Sequence, residues 1–216
     1  KSMDFARSRA SDLAHGLKIP LTVLGTIAYE LEEGGNTRSA ASIVDLTNEM
    51  RDRIDYQLRL VRLRQRVRMH AISASLSSVV PRAIAVLKKT PKGEQLDWVV
   101  DIAGGLNVDI DVNDLIELVG VILENAAQWA NTQVFITAKQ DAVDVEWRIS
   151  DDGPGIQISD LSSIGRRDRR LDETVAGTGL GLAIASEIVT LNNGTIAFEH
   201  SRHGGLEVII RLPSAA

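Results

Sequence analysis

The chain contains no cysteine, which removes disulfides and thiolate metal ligands and fits a reducing compartment. No apolar run is long enough to span a membrane, and no leader pattern opens the chain. Nor is there an excess of basic charge: 24 Lys and Arg face 29 Asp and Glu, for a net charge of −5. That balance argues against a nucleic-acid surface as the main business. His200 and His203 have no carboxylate or cysteine at ligand spacing, so they read as surface residues rather than metal ligands. The first residue is Lys1 rather than methionine, so the chain is expected to be a piece of something longer, with targeting and sensing segments outside it.

What remains is an ordinary globular composition, 44% hydrophobic and 25% charged, over 216 residues. Such a chain holds one large domain or two small ones. Its most informative stretch runs from Ser150 to Ala183. An alternating run (Val143, Val145, Trp147, Ile149) reads as a strand that delivers Asp151 into Asp152-Gly153-Pro154-Gly155-Ile156. A second glycine cluster, Gly177-Thr178-Gly179-Leu180-Gly181, opens an apolar helix through Leu182, Ile184, Ala185, Ile188 and Val189. Glycines let backbone approach a ligand closely, and free N–H groups at a helix start attract phosphate. No Gly-Lys-Ser/Thr follows either cluster and the spacing is not G-x-G-x-x-G, so neither a P-loop nor a dinucleotide fingerprint is present.

The first 70 residues read as a helical hairpin. Ala10, Leu17, Leu24 and Leu31 fall seven apart, with Leu13, Pro20 and Ile27 as the companion set and Ala14, Leu21 and Ala28 widening the stripe. Glu32 to Asn36 break this helix, and a second runs from Thr37 to about Met69 with Ile43, Leu46, Met50, Ile54, Leu58 and Val61 on its stripe. A lone hairpin has one buried stripe per helix and should dimerise into a four-helix bundle. His15 falls on the outer face, where a histidine is ordinarily a solvated surface residue. Pro20, just after it, removes a helical hydrogen bond and makes the site adaptable. The arginines between Arg59 and Arg68 read as a solvated helix face, with docking of an acidic partner as the alternative.

Beyond residue 70 helices and strands mix. Ala71–Leu76 reads as a strand, and Ser77 as the cap of a helix through Pro81 to Leu87. Leu96–Ile102 and Leu106–Ile110 read as strands around the Gly104-Gly105 turn. A helix follows from Val112 to Ala130, then strands over Val134–Ala138 and Val143–Ser150, a helix over Gly181–Leu191, and a hairpin of Gly194–Glu199 with Leu206–Leu212. The fold class expected is α+β: an antiparallel helical hairpin over 1–70 forming a dimeric bundle, then a two-layer α/β sandwich over 71–216.

The two glycine clusters resemble the G1 and G2 boxes of the GHKL (Bergerat-fold) ATPases, and the helix Leu115–Ala130, bearing Asn125, is similar to their Asn box. His15, Lys18, Pro20 and Leu21 match the H box of bacterial sensor histidine kinases, His-x-x-Lys/Arg-x-Pro-Leu. All four boxes stand in the family's order and cover essentially the whole chain. The stretch Asp12 to Lys18, with a non-acidic residue after the histidine, is most similar to the PhoQ branch.

This resemblance implies a cytoplasmic kinase core of a membrane-anchored parent, using ATP and Mg²⁺, dimeric through its hairpin and partnered by a response regulator. It implies Asp151 as acceptor for the adenine amino group, with Gly153, Gly155 and Ile156 lining the base, and Gln128 and Trp129 nearby. Trp129 reads equally well as a core tryptophan on an apolar helix. Asn125 would offer an amide oxygen to Mg²⁺. Gly177, Thr178, Gly179, Leu180 and Gly181 would meet the phosphates, covered by a lid in which Arg167 and Arg170 face them. His15 would be the phosphoryl acceptor, assisted by Asp12 and Lys18.

The departures are as informative as the matches. Val121 stands where the Asn box usually carries a second asparagine and where hydrolytic GHKL enzymes such as gyrase carry a glutamate, so free ATP hydrolysis is disfavoured. Gly165 replaces the lid phenylalanine, and Gly16 offers no carboxylate beside His15. Ile19 replaces the threonine or asparagine that orients water to dephosphorylate the regulator, which predicts weak phosphatase activity. The alternative is a degenerate nucleotide-binding signalling protein with little kinase activity.

Overall fold

A computed structural model describes residues 2–64, 73–157 and 181–215, without the side chains of residues 2–16, 18, 52, 55, 56 and 59–64. The chain divides into two compact units, Lys1–Val67 and Arg68–Ala216.

The first unit is the antiparallel pair α1 (Ser2–Glu33) and α2 (Thr37–Arg64), with Pro20 inside α1. The expected continuation of α2 towards Met69 lies outside the described residues. Gly35, at φ +82°, makes the turn between them in a conformation that suits glycine. The Asn36 N–H returns to the Leu31 carbonyl at 2.8 Å, and the Asn36 side chain accepts from the Ser39 N–H at 3.4 Å at the start of α2. The described buried residues are Leu21 and Ala28 on α1 and Ala40 and Thr47 on α2, seven apart on each helix. Thr47 satisfies its hydroxyl by donating to the Ile43 carbonyl at 2.7 Å. Leu24, Leu31, Ile43, Ile54 and Leu58 of the expected stripe are half-buried, while Leu17, Ile27, Leu46 and Met50 are each at least 39% exposed. Within one chain the described seam therefore centres on Leu21, Ala28, Ala40 and Thr47, and the a/d face is only partly covered.

The second unit is built on a five-stranded mixed sheet in the order β2-β4-β5-β7-β6, with β2 (Asp97–Ile102), β4 (Gln133–Asp141), β5 (Asp144–Asp151), β6 (Thr195–His200) and β7 (Leu206–Pro213). The β2–β4 pair is parallel and the other pairs are antiparallel. Strand alternation sorts the two faces. Val134, Ile136, Ala138, Val145, Trp147, Ile149, Val208, Ile210 and Leu212 are all buried. Glu146, Arg148, Arg211 and Lys139 share the opposite face. The helical layer consists of α3 (Leu76–Leu87), α4 (Val112–Trp129) and α5 (Gly181–Leu191), with α4 packing on α3, α5 and β5. Each helix buries an apolar stripe; that of α4 is Leu115, Leu118, Val119, Ile122, Leu123 and Ala126. Asp111 starts α4 by accepting the Asn113 N–H at 2.8 Å. A mixed sheet under a helical layer is the two-layer sandwich expected.

Local expectations needed correction in two places. The strand expected over Ala71–Leu76 is limited among described residues to β1 (Ala74–Ser75), and α3 begins at Leu76, so Ser75 rather than Ser77 precedes it. The strands flanking Gly104-Gly105 do not pair with each other. β2 joins β4 in the main sheet, whereas β3 (Asn107–Val108) pairs with β1. Apolar runs indicate strands but carry no information about partners.

Candidate nucleotide-binding site

β5 carries its buried alternation out to Asp151, which is 2% exposed. One carboxylate oxygen accepts the Gly153 N–H at 2.9 Å and the other accepts the Leu206 N–H at 3.3 Å. The Gly205 N–H donates to the Asp151 carbonyl at 3.1 Å. Burial pushes the Asp151 carboxyl above the ordinary carboxylate range, against the opposing pull of the Gly153 and Leu206 amides. The surrounding glycines are dictated by close approach. A Cβ on Gly153 would overlap the Trp129 carbonyl, and one on Gly205 would overlap the Asp151 carboxylate. Gly155, at φ +70°, turns the chain back beside the Gly204 carbonyl.

Asp152 behaves in the opposite way. Burial raises its pKa, but hydrogen bonds from Thr132, Gln133 and Asn131 outweigh that and hold it down to about 2. Its Oδ1 accepts the backbone N–H groups of Asn131, Thr132 and Gln133 at 2.8, 3.0 and 3.1 Å. Its Oδ2 accepts the Thr132 hydroxyl. The Asn131 side-chain amide donates back to the Asp152 carbonyl at 2.7 Å.

The end of α4 forms the adjoining wall. Trp129 is half-buried, unlike Trp98 and Trp147, which occupy the core, and its carbonyl lies against Gly153. Asn125 is half-buried one turn earlier, on the same helix face as Trp129, and Gln128 is exposed. Ile156 is half-buried after Gly155. Gly181 opens α5, and a Cβ there would stand 3.1 Å from Val121 Cγ1. The Gly181 end of the described part of α5 therefore lies beside α4 one turn before Asn125.

The structure thus brings together Asp151, Gly153, Gly155 and Trp129, and it sets Gly181 of α5 beside Val121 in the middle of α4. Arg167, Arg170, Gly177, Thr178, Gly179 and Leu180 lie outside the described residues. Asp12, His15 and Lys18 lie on α1, in the other unit, with side chains outside the description. Sequence reasoning missed Asp152, Asn131, Thr132 and the Gly205-Leu206 backbone. Asp152 was visible as the second acid of the pair, but its partners lie 19 to 21 residues away. Of the two histidines set aside, His200 is exposed, while His203 stacks on Phe135 with ring centroids 3.6 Å apart.

The donor set suits a purine nucleotide with a hard cation. A buried carboxylate lies among glycines packed closely on Trp129 and on Asp151 itself, and a carboxylate can accept from an exocyclic amine. Asn125 supplies one neutral oxygen, which suits Mg²⁺ because that ion keeps waters and phosphate oxygens as its other ligands. Among the described residues no cluster of three or more His, Cys, Asp or Glu could hold a metal by itself.

Residues 110–216 match the family described as Histidine kinase-, DNA gyrase B-, and HSP90-like ATPase. The chain is 31% identical over 208 residues to the sensor protein kinase CarS of Pseudomonas aeruginosa, covering 96% of this chain and 46% of that protein. It is 32% identical over 216 residues to the sensor protein PhoQ of Escherichia coli O157:H7, covering 95% of this chain and 43% of that one. The chain thus spans somewhat under half the length of the curated relatives it matches. Full-length ShkA, solved in complex with AMPPNP, has a similar fold over 97% of this chain and 46% of its own, with a TM-score of 0.68 at 17% identity. No helix among the described residues is long and apolar enough to cross a membrane.

Proposed function

We propose, since this chain belongs to the PhoQ-like sensor histidine kinases and carries their GHKL ATPase domain, that it is a kinase core that phosphorylates itself on His15. In this reading residues 1–70 are the dimerisation and phosphotransfer hairpin and residues 71–216 bind ATP. The observation that carries it is Asp151: a buried carboxylate, walled by glycines and flanked by the end of the Asn-bearing helix. The Gly153 and Leu206 N–H groups give each of its oxygens one donor; a carboxylate can accept more than these two, and the amino group of adenine is a suitable further donor.

Asp151 would fix the base, Trp129, Gln128 and Ile156 would border it, and the α5 start with Gly177, Thr178, Gly179, Leu180 and Gly181 would hold the phosphates. Asn125 would hold Mg²⁺, which when bound supplies charge neutralisation at the phosphates. A neutral imidazole nitrogen of His15 then attacks the γ-phosphorus. The new N–P bond forms as the bond to the β,γ-bridging oxygen breaks, and ADP leaves. Catalysis is positioning plus charge neutralisation, with Arg167 and Arg170 closing over the phosphates. Asp12, one helical turn before His15, would orient the imidazole, and Lys18 would add positive charge beside it. Phosphohistidine next gives its phosphoryl group to an aspartate of a response regulator. The hairpin pairs with a second copy, and a membrane-anchored parent places this core in the cytoplasm.

Ile19, 61% exposed, cannot hydrogen-bond a water, so regulator dephosphorylation is expected to be weak. Installing a hydroxyl with Ile19→Thr should raise it at least about fivefold; an unchanged rate in a phospho-regulator decay assay would sink that assignment. A second reading, a nucleotide-binding signalling protein with little kinase activity, draws on Val121, Gly16 and Ile19. Incubation with γ-labelled ATP and Mg²⁺ separates the two. Acid-labile label on the native chain and none on His15→Ala supports the kinase, while ATP bound without any label supports the second reading.

A further inference from the structure

We infer that Asp152 is a positioning residue for nucleotide binding: it fastens the end of α4 to the Asp151–Gly155 loop and so sets the distance between the two walls of the site. This rests on the nucleotide reading above. Asp152 itself is not the base-reading group, since its Oδ1 and Oδ2 are both engaged by the segment leaving α4.

The geometry is more specific than a turn needs. Three consecutive backbone N–H groups, of Asn131, Thr132 and Gln133, converge on one carboxylate oxygen, which fixes the conformation of that segment. Asn131 returns a bond to the Asp152 carbonyl, so each strand of chain holds the other. The two ends of this clasp are the functional walls. Trp129 lies two residues before Asn131, with its carbonyl against Gly153, and Asp151 is the residue before Asp152. Hydrogen bonds to an ionised acceptor are stronger than neutral ones. Loosening this clasp moves Trp129 relative to Asp151 without removing any group that would touch nucleotide.

The experiment uses the full chain with Asp152→Ala, Asp152→Asn and Thr132→Val, checking each for native far-UV circular dichroism. Two quantities are read: the Kd for Mg·ATP, and acrylamide quenching of Trp129, assigned against Trp129→Phe. Asp152→Ala should raise the Kd about tenfold or more, since small misplacements in a binding site are costly. It should also make Trp129 more accessible, while the labelling rate at saturating ATP stays within about twofold. Asp152→Asn keeps an amide oxygen for the three N–H donors and should recover the Kd to within about threefold of native. Thr132→Val removes one donor without disturbing the fold and should fall between the two. Native Kd and native quenching in both Asp152→Ala and Thr132→Val would overturn the inference; if Asp152→Ala fails to fold, Thr132→Val with Asp152→Asn decides it. If the native chain binds no ATP, the nucleotide reading fails instead, and Trp129 quenching still tests the clasp alone.

Discussion

Asp151 and Asp152 are chain neighbours whose surroundings push them in opposite directions. Burial raises the Asp151 carboxyl, whereas the donors around Asp152 outweigh its burial and hold it to about 2. A raised folded-state pKa means that Asp151 favours the fold below its unfolded value, an advantage lost as pH rises through the folded value. Its ionised form is therefore the one that burial disfavours. Asp151→Asn should accordingly weaken ATP binding by about 10- to 100-fold, the worth of a hydrogen bond to a buried charged group. The midpoint of thermal unfolding should fall by no more than a few degrees. Calorimetric titration and a melting curve on the same sample check both halves. At this scale the sequence was legible where the signal was local: Asp151, Gly153 and Gly155 stand within one short motif. It was silent on Leu206, whose amide reaches Asp151 across 55 residues, because a backbone donor carries no residue signature.

Strand β5 shows how one element serves both layers. Its period of two sends Val145, Trp147 and Ile149 to the buried face and Glu146 and Arg148 to the other. Glu146 is only 2% exposed, yet it is ionised because it lies beneath three cations. Arg211 reaches it at 2.6 Å, Arg148 at 2.9 Å and Lys139 at 3.5 Å, joining β4, β5 and β7 across the sheet. Hydrogen bonds from Arg148, then Arg211, outweigh burial and lower its pKa to about 2. A lowered folded-state value contributes stability above the unfolded pKa that disappears as pH falls through the folded one. Glu146 and Asp152 should therefore give a loss of stability between about pH 4.5 and pH 2. Glu146→Gln should cost about 2 kcal/mol at pH 7 and flatten the acid limb. Urea unfolding followed by tryptophan emission at several pH values measures both. Elements of this kind were legible from periodicity, including α5 with its end at Leu191. Their partners were not: β2 and β3, next to each other in sequence, joined different sheets because pairing is decided by distant strands.

At the scale of the molecule, the hairpin and the nucleotide unit meet different packing requirements. The nucleotide unit buries a large aliphatic core around Ile122, Leu123, Ile136, Ile149 and Ile210. The hairpin buries Leu21 and otherwise only alanines and a threonine among its described residues, while Leu17, Ile27, Leu46 and Met50 face outward. Ordering each residue costs about 1–2 kcal/mol of backbone entropy, and one fully buried leucine returns about 1.5–3 kcal/mol, so covering the exposed Leu17, Ile27, Leu46 and Met50 would add materially to what the described seam supplies. In the proposed reading, covering the exposed a/d residues with the same face of a second copy would give a closed two-fold bundle. Charging that face with Ile27→Asp and Leu46→Asp together should therefore convert a dimer to a monomer in sedimentation at micromolar concentration. Because the substituted residues lie in the other unit from Asp151, ATP affinity should stay within about twofold of native. A native chain that already sediments as a monomer would defeat the bundle assignment. Loss of ATP binding together with loss of the dimer would instead show that the nucleotide site depends on the hairpin's assembly.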